Sequence, residues 1–339
     1  MSEPTPADVP EVTGRPAQSL SPSRAADFKA CPLRYRFRVV DRLPEPPSAA
    51  AVRGTLVHSV LERLFDLPAG QRTVERAISL LPAQWAQLRA EEPRAAELFG
   101  PADADADADA TSGEAVAGAA VADGAVADAQ ASLGDSAPRE GTGPPVLDEQ
   151  AWLASAEPLL AGYFALEDPR RLQPASREEY VEATLPDGLV LRGVIDRLDA
   201  TAEGALRVVD YKTGRSPAEA WEGKALFQLK FYALVLWRTR GVIPAVLQLL
   251  YLADRQRLSY TPAEAELVAF ERQLTALWQA IQTALETGDF RANKGPLCAF
   301  CDHQARCPAF GGTPPPYPVA DPPVVLLPLA PVNGAPSIP

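Results

Sequence analysis

The alternation of apolar and polar residues along the chain predicts an α/β fold. Helices are predicted over 22–30, 50–66, 73–90, 149–166, from about 224 onward, and over 262–286. Short aliphatic runs bounded by turn residues predict strands at 178–185, 189–196, 206–212 and 245–252. Pro186-Asp187-Gly188 and Ala202-Glu203-Gly204 are suited to hairpin turns between the first three strands. We therefore expect a mixed sheet flanked by helices, in which those three strands are antiparallel.

Three local features are less regular. Pro82 is expected to interrupt the helix over 73–90, because proline removes a helical hydrogen bond. Residues 33–40 alternate as a strand would, whereas their neighbours favour a helix, so both remain open. The segment 216–219 has the form of a capping box, and the helix after it begins either there or near Lys224.

Two carboxylates and a lysine meet on the predicted sheet. Side chains two apart in a strand share a face, so Asp210 and Lys212 project together while Tyr211 points away. Asp196 on the neighbouring strand can reach the same point, and converging acidic oxygens suit a hard divalent cation such as Mg²⁺. The lysine could orient or help deprotonate a water and offset charge on a phosphate oxygen. The alternative is a salt-bridged hairpin with solvated charges. The chain has 27 arginines and only 5 lysines, so a lysine at this place favours the catalytic interpretation.

The sequence Asp196, then Asp210-Tyr-Lys212-Thr-Gly, resembles the split Asp…(Asp/Glu)-x-Lys core of the PD-(D/E)XK nucleases, in the version carried by RecB-like exonuclease domains. Two other segments match the remaining motifs of that family. Arg53-Gly-Thr-Leu-Val-His58-Ser-Val-Leu-Glu62 resembles the first motif, and Gln228-Leu-Lys-Phe-Tyr232 resembles the Gln-x-x-x-Tyr motif. Without the resemblance, His58 would be read as a packed or surface histidine, and Gln228 and Tyr232 as the margin of a packed helix.

The resemblance implies a role for each of these residues. The implied metal ligands are His58, Asp196 and Asp210. The implied catalytic residues are Lys212, Asp196, Asp210, Gln228 and Tyr232. Glu62 lies one helical turn from His58 and is expected to orient its ring. The fold implied is the restriction-endonuclease-like α/β core, and the activity implied is Mg²⁺- or Mn²⁺-dependent hydrolysis of DNA phosphodiester bonds.

Four cysteines form a second constellation. Cys298, Cys301 and Cys307 lie close in sequence, whereas Cys31 lies far upstream. Thiolates at this spacing can hold a soft metal or cluster, and four are what a [4Fe–4S] centre requires. The resemblance to the iron–sulfur branch of these nucleases, which includes AddB, covers this arrangement and implies a cluster that clasps the two ends of the domain. The alternative is a Zn²⁺ site that uses His303 and the three late cysteines.

Composition and charge qualify this picture. The formal net charge is −12, but residues 100–145 alone contain nine acidic residues against one arginine. The rest of the chain is close to neutral, so the charge does not exclude DNA as a partner. Several arginines lie between 24 and 42 and could contact phosphates, although a solvated face is equally consistent with them.

Low-complexity segments predict the domain organisation. Residues 1–18, 100–147 and 311–339 are expected to be disordered, which leaves one nuclease domain over 19–310 with an acidic linker inside it. No apolar run long enough for a membrane span and no secretory signal are present, so we expect a cytoplasmic protein with reduced cysteines and no membrane partner.

The expected function is that of an exonuclease acting on DNA ends or single strands in recombination and repair. No P-loop motif occurs, so any unwinding would require a separate helicase. The alternative is a non-catalytic DNA-end-binding subunit of a helicase–nuclease complex.

Overall fold

The computed structural model describes residues 19–100, 147–217 and 222–318. The predicted leader over 1–18 and nearly all of the predicted linker over 100–147 lie outside the described residues. The same holds for residues 319–339 of the predicted tail.

A six-stranded mixed sheet forms the centre of the described chain. Its strands are β1 (Ser19–Leu20), β2 (Ser176–Thr184), β3 (Val190–Ala200), β4 (Leu206–Lys212), β5 (Val246–Tyr251) and β6 (Gln256–Tyr260). The order is β1-β3-β4-β5-β6, and β2 pairs with β3. The pairs β2–β3, β3–β4 and β5–β6 are antiparallel, whereas β1–β3 and β4–β5 are parallel. The three consecutive antiparallel strands agree with the sequence prediction, while β1 and β6 were not predicted.

Eight α-helices lie around this sheet in the described residues. They are α1 (Pro22–Ala30), α2 (Pro32–Tyr35), α3 (Ala49–Leu64), α4 (Val74–Glu91), α5 (Glu149–Ala154), α6 (Glu157–Leu166), α7 (Glu222–Arg240) and α8 (Glu264–Thr287). Helix α1 begins where Ser21 precedes Pro22, because the Ser21 hydroxyl accepts a hydrogen bond from the Arg24 amide at 3.3 Å. Short 3₁₀ turns follow α8 at Pro296–Phe300, Gln304–Arg306 and Pro308–Phe310.

Two hydrophobic cores lie on opposite faces of the sheet. One contains the apolar sides of α1, α2, α7 and α8, and the other those of α3, α4, α5 and α6. Strand β4 contributes to both cores in turn: Val208 lies in the first, and Val209 and Tyr211 lie in the second. This alternation follows from the two-residue period of a strand, and it places Asp210 and Lys212 on the α7 side.

Two local expectations differ from the structure, and one that the sequence left open is decided by it. Helix α4 continues through Pro82, since Leu81 and Trp85 on either side are buried and hold the helix against the second core. Residues 33–40 are helical rather than extended, with a π-helical turn at Arg36–Val40 after α2. The predicted helix over 149–166 is two helices, α5 and α6, with a break at Ser155 and Ala156.

Ser216 does not begin a helix. Its amide and its hydroxyl both donate to Asp254 Oδ2, at 3.0 and 2.6 Å. The next helix, α7, starts at Glu222, close to the later of the two predicted positions. The polar side chain therefore anchors the chain to the β5–β6 turn.

The ordered body extends beyond residue 310, where the sequence suggested that a disordered tail begins. The Tyr317 hydroxyl donates to the Leu285 carbonyl at 2.6 Å, and its ring lies 5.8 Å from that of Phe290. Residues 311–318 thus pack on α8, because one aromatic side chain in an otherwise proline-rich segment finds an apolar site. Within the described ranges, no helix is long and apolar enough to cross a membrane.

Candidate active site

A cleft of about 290 Å³ lies between α3 and the sheet, and the first turn of α1 and the side of α7 complete its walls. Its lining includes every residue that the sequence proposed as a ligand of Mg²⁺ or Mn²⁺ or as a catalytic residue: His58, Asp196, Asp210, Lys212, Gln228 and Tyr232. Four separate elements supply these six side chains, so the tertiary fold brings them together. The four cysteines do not line it.

His58 is held with one ring nitrogen facing the carboxylates. Its Nε2 lies 3.0 Å from the Tyr211 carbonyl oxygen, which only accepts, so Nε2 carries a proton and donates. Its Nδ1 lies 3.4 Å from Asp196 Oδ2 and 4.0 Å from Glu178 Oε1. Burial disfavours the charged ring, but the carboxylates of Asp196 and Glu178 outweigh this and raise the pKa of His58. Nδ1 is therefore placed to take up either a proton or a cation.

The main chain of Tyr211 orients two of the candidate ligands. Its carbonyl accepts from His58, and its amide donates to Asp196 Oδ2 at 2.7 Å. Its side chain points to the other face, where the hydroxyl accepts a hydrogen bond from buried Arg197 at 2.9 Å. The contact that orients His58 thus comes from Tyr211, not from the predicted Glu62, because the Nε2 atom of the ring faces the sheet.

Glu178 is a member of the site that the sequence analysis missed. Strand pairing on either side, Arg177 with Arg197 and Glu179 with Ile195, places Glu178 opposite Asp196. Its backbone has a φ of 42°, which is uncommon for a residue with a side chain and is found often at functional sites. Burial, then the Asp196 carboxylate, raise the pKa of Glu178 to about 8. A signal existed, because the predicted hairpin over 178–185 and 189–196 already pairs the two residues.

Asp210 and Lys212 form the second half of the site. The Lys212 ammonium lies 2.9 Å from Asp210 Oδ2 and donates to Gln228 Oε1 at 2.7 Å. The Gln228 amide nitrogen in turn donates to the Tyr232 hydroxyl at 3.2 Å. Burial, followed by the Asp210 charge, raises the pKa of Tyr232, so this phenol stays neutral. The chain of contacts holds the lysine beside a carboxylate that is only 1% exposed.

Gly193 permits this arrangement. A Cβ at this position would lie 2.8 Å from Cε1 of Tyr232, closer than real contacts allow. The absence of a side chain at Gly193 leaves room for the Tyr232 ring to lie against β3 at the cleft.

The donor atoms fit a divalent cation. One ligand atom each from His58, Glu178 and Asp196 lies within 4.8 Å of the others, and no other such group occurs among the described residues. An imidazole with two carboxylates suits ions such as Mg²⁺ or Mn²⁺. Asp210, a predicted ligand, is not one of the three and is paired with Lys212 instead. It is near enough to raise the pKa of both His58 and Glu178, and its role as a ligand stays a prediction.

The cysteines lie at the other end of α1, and their sulfurs are not gathered into a compact group. Asn293 bridges two of them, since its amide lies 3.4 Å from the Cys31 sulfur and its carbonyl 3.9 Å from that of Cys298. Burial raises the pKa of Cys301, and Cys31 and Cys298 add to this effect from nearby. A tetrahedral zinc ion needs ligand atoms about 3.8 Å apart, as its bond lengths require. No three of these thiols and His303 in the described chain are within 4.8 Å of one another, so this arrangement does not fit zinc.

Comparison with known protein families identifies the superfamily to which the chain belongs. The chain matches the PD-(D/E)XK nuclease superfamily over residues 19–122 and 108–308, and it belongs to this superfamily. The predicted fold class, a mixed sheet flanked by helices in the PD-(D/E)XK nuclease fold, is confirmed.

The individual proteins that match are similar to this chain at low identity or over only part of its length. The Gene 69 protein of Mycobacterium phage L5 is 33% identical over 127 residues, which cover 37% of this chain and 41% of that protein. The Gene 69 protein of Mycobacterium phage D29 is 31% identical over 136 residues, covering 39% and 48%. The chain thus spans less than half of the length of these relatives. Among solved structures, a "Putative exonuclease" from Eubacterium rectale aligns with a TM-score of 0.45 and 12% identity, over 84% of this chain and 88% of that one.

Proposed function

We propose that the chain is a divalent-metal-dependent deoxyribonuclease of the RecB-like branch, acting as an exonuclease on DNA ends or single strands in recombination or repair. The observation that carries the proposal is one cleft in which His58, Glu178 and Asp196 converge next to paired Asp210 and Lys212. Membership of the nuclease superfamily supports the reaction class. The motif order in the sequence supports the branch.

The proposed mechanism assigns a task to each side chain. His58, Asp196 and Asp210 would hold Mg²⁺ or Mn²⁺, and Glu178 would be a further ligand. Bound there, the ion would supply Lewis-acid polarisation of the phosphate and a water of lowered pKa. Main-chain contacts from Tyr211 keep the His58 ring and the Asp196 carboxylate in place before substrate arrives.

Lys212 supplies a positive charge beside the proposed metal ligands. Gln228 presents its carbonyl oxygen to Lys212, because Tyr232 fixes the opposite end of the amide. Held in this way, the ammonium orients the attacking water and stabilises charge that develops on the phosphate oxygens.

Lys212→Met tests this assignment. With purified protein, end-labelled linear and circular DNA in single- and double-stranded forms, and Mg²⁺, Mn²⁺ or EDTA, cleavage by the variant should fall by about 10² to 10⁴. Lys230→Met is the matched control, because Lys230 lies on α7 but pairs with Glu266 away from the cleft. Equal rates for Lys212→Met and the parent protein would refute the site.

The choice of DNA substrate distinguishes an exonuclease from an endonuclease and from a non-catalytic subunit. Shortened linear strands with intact circles support an exonuclease, whereas cut circles identify an endonuclease. Tight binding without cleavage in any metal would favour a non-catalytic DNA-end-binding subunit. Buried carboxylates without a metal are costly, which argues against that alternative. A separate helicase would supply any unwinding.

We also propose that Cys31, Cys298, Cys301 and Cys307 hold a [4Fe–4S] cluster that closes one nuclease domain starting near residue 19. Supporting this, the backbone of Asn293 contacts the sulfurs of both Cys31 and Cys298, although one precedes and the other follows the nuclease core. A cluster is larger than a single ion and tolerates wider sulfur spacing. Cysteine thiols stay reduced in the cytoplasm, which is the compartment proposed for this protein.

Cys31→Ser tests the cluster. Anaerobically purified parent protein should be brown and contain iron and sulfide, and the variant should lose both together with thermal stability. A colourless parent containing zinc, with the same melting temperature after Cys31→Ser, would contradict the cluster.

A further inference from the structure

The 3₁₀ turns after α8 expose an unusual amount of apolar surface. Phe300 is 62% exposed, Phe310 48% and Leu297 44%. Among the described residues, only Tyr180 and Val242 are other large apolar side chains exposed to this degree. Three such side chains in one short segment exceed the scattered exposure that is normal for a surface, and such groupings mark interaction sites.

The same segment is positively charged. Arg291 pairs with Asp289, and between 292 and 311 the segment contains Lys294 and Arg306 against the single acid Asp302, in a chain whose formal net charge is −12. The Lys294 ammonium lies 5.0 Å from the centre of the Phe310 ring. Cations interleaved with exposed aromatic rings are characteristic of surfaces that bind single-stranded nucleic acid, where phosphates meet the cations and bases stack on the rings. This charge complementarity favours a nucleic-acid strand over an apolar protein surface.

Helix α1 connects this segment to the cleft. At one end of α1, Asn293 donates through its side-chain amide to the Ala30 carbonyl at 3.0 Å. At the other end, Ser21, Pro22 and Ser23 line the cleft. A helix of nine residues spans about 13 Å, which corresponds to about four nucleotides at the rise of a duplex and fewer in an extended strand.

We propose that Phe300, Phe310, Lys294 and Arg306 form an aromatic–basic surface that docks a single DNA strand, whose continuation runs along α1 into the cleft. The proposal rests on the proposed nuclease function and adds the place where the substrate is held. Phe300 and Phe310 stack on bases, and Lys294 and Arg306 contact phosphates. The surface thereby holds a strand several nucleotides from the point of cleavage.

Binding without cleavage provides the first test. Anisotropy of a fluorescein-labelled oligothymidylate is measured with the full chain in EDTA over a range of salt concentrations. Phe300→Ala should weaken binding about tenfold, the loss expected for one stacked base. Lys294→Ala should lower the slope of log affinity against log salt by about 0.7. Val242→Ala and Arg272→Ala, an exposed apolar and an exposed basic residue elsewhere, are the matched controls and should bind as the parent does.

A second substitution separates stacking from loss of structure. Phe300→Trp keeps an aromatic face and should restore binding, while the melting temperature of Phe300→Ala should equal that of the parent because most of the ring is exposed. Unchanged binding by Phe300→Ala, Lys294→Ala and Arg306→Ala together would overturn the proposal. A change of oligomeric state in Phe300→Ala without a change in DNA binding would also overturn it, in favour of contact between copies.

The substrate length distinguishes this proposal from the nuclease function. Oligonucleotides of two or three residues are too short to reach both places, so Phe300→Ala should cut them as the parent does and raise KM only for longer strands. An identical rise in KM for both lengths would overturn the proposal. A parent protein that binds strands through Phe300 but cuts none would refute the nuclease function and leave the docking surface standing.

Discussion

Glu178→Gln is expected to stabilise the metal-free protein and to weaken its response to metal. Without a cation, the Glu178 carboxylate lies among other acids, with Asp196 directly opposite and His58 as the nearest compensating group. Burial and these charges raise the pKa of Glu178 from 4.5 to about 8. A glutamine of the same shape removes the charge and keeps the volume.

The linkage between proton binding and folding gives the sign and the size of the change in stability. A carboxyl group with a folded pKa above its unfolded value contributes stability below the unfolded pKa, and the contribution is lost as pH rises through the folded pKa. The full shift corresponds to about 5 kcal/mol, most of which develops between about pH 5 and pH 8. The side chain of Glu178 is 31% exposed, so solvent screening reduces this figure. We expect Glu178→Gln to raise the free energy of unfolding by about 2 kcal/mol at pH 8 and by almost nothing at pH 5.

Urea unfolding followed by circular dichroism measures both halves of the prediction. In EDTA the variant should be the more stable protein at pH 8, and with saturating Mn²⁺ its gain in stability should be smaller than that of the parent because one ligand is missing. Glu62→Gln is the control, since Glu62 lines the same cleft outside the group of three ligands. A Glu178→Gln protein that is less stable than the parent in EDTA at pH 8, or that gains as much from Mn²⁺, would refute the reasoning.

Two further substitutions test the framework of the site. Arg197→Met should lower the free energy of unfolding by about 3 kcal/mol in urea titrations, because buried Glu167, now 2.8 Å from the Arg197 guanidinium, keeps only Arg207 at 3.1 Å as a partner. Adding Glu167→Gln should recover part of the loss. If Arg197→Met left the free energy of unfolding unchanged, the ion pair would not contribute to stability. Gly162→Ala should lower the melting temperature by several degrees or prevent folding, since a Cβ there would lie 2.0 Å from the Leu252 carbonyl oxygen. An unchanged melting temperature would contradict the close contact between α6 and the end of β5.

The local sequence pattern was sufficient to predict how the candidate catalytic residues are arranged within each strand and helix. The two-residue period of a strand places Asp210 and Lys212 on one side of β4 and Tyr211 on the other, whatever the strand packs against. The four-residue spacing of Gln228 and Tyr232 likewise puts both on one face of α7, where they are hydrogen-bonded. These relations are properties of a single strand or helix and can be predicted without a tertiary structure.

Local pattern failed where packing outweighs propensity. Pro82 lies inside a continuous helix, because buried neighbours on both sides stabilise the helix more than the missing hydrogen bond weakens it. Residues 311–318 read as a disordered tail, but Tyr317 reaches an apolar site between Arg36 and Phe290. Neither site is visible from the neighbouring sequence.

The sequence by itself determined strands β2 to β5 and most of the long helices, the face on which each motif residue lies, and the pairing of the β2–β3 hairpin. Only the tertiary structure decided that Glu178 joins His58 and Asp196, because a positive φ inside a strand and the approach of α3 are both set by long-range packing. The same is true of Tyr211, whose backbone amide and carbonyl orient two ligands, one of them 153 residues away. Main-chain groups are common to almost all residues and carry no signature in sequence, so their role becomes apparent only when the sheet and the helix are in contact.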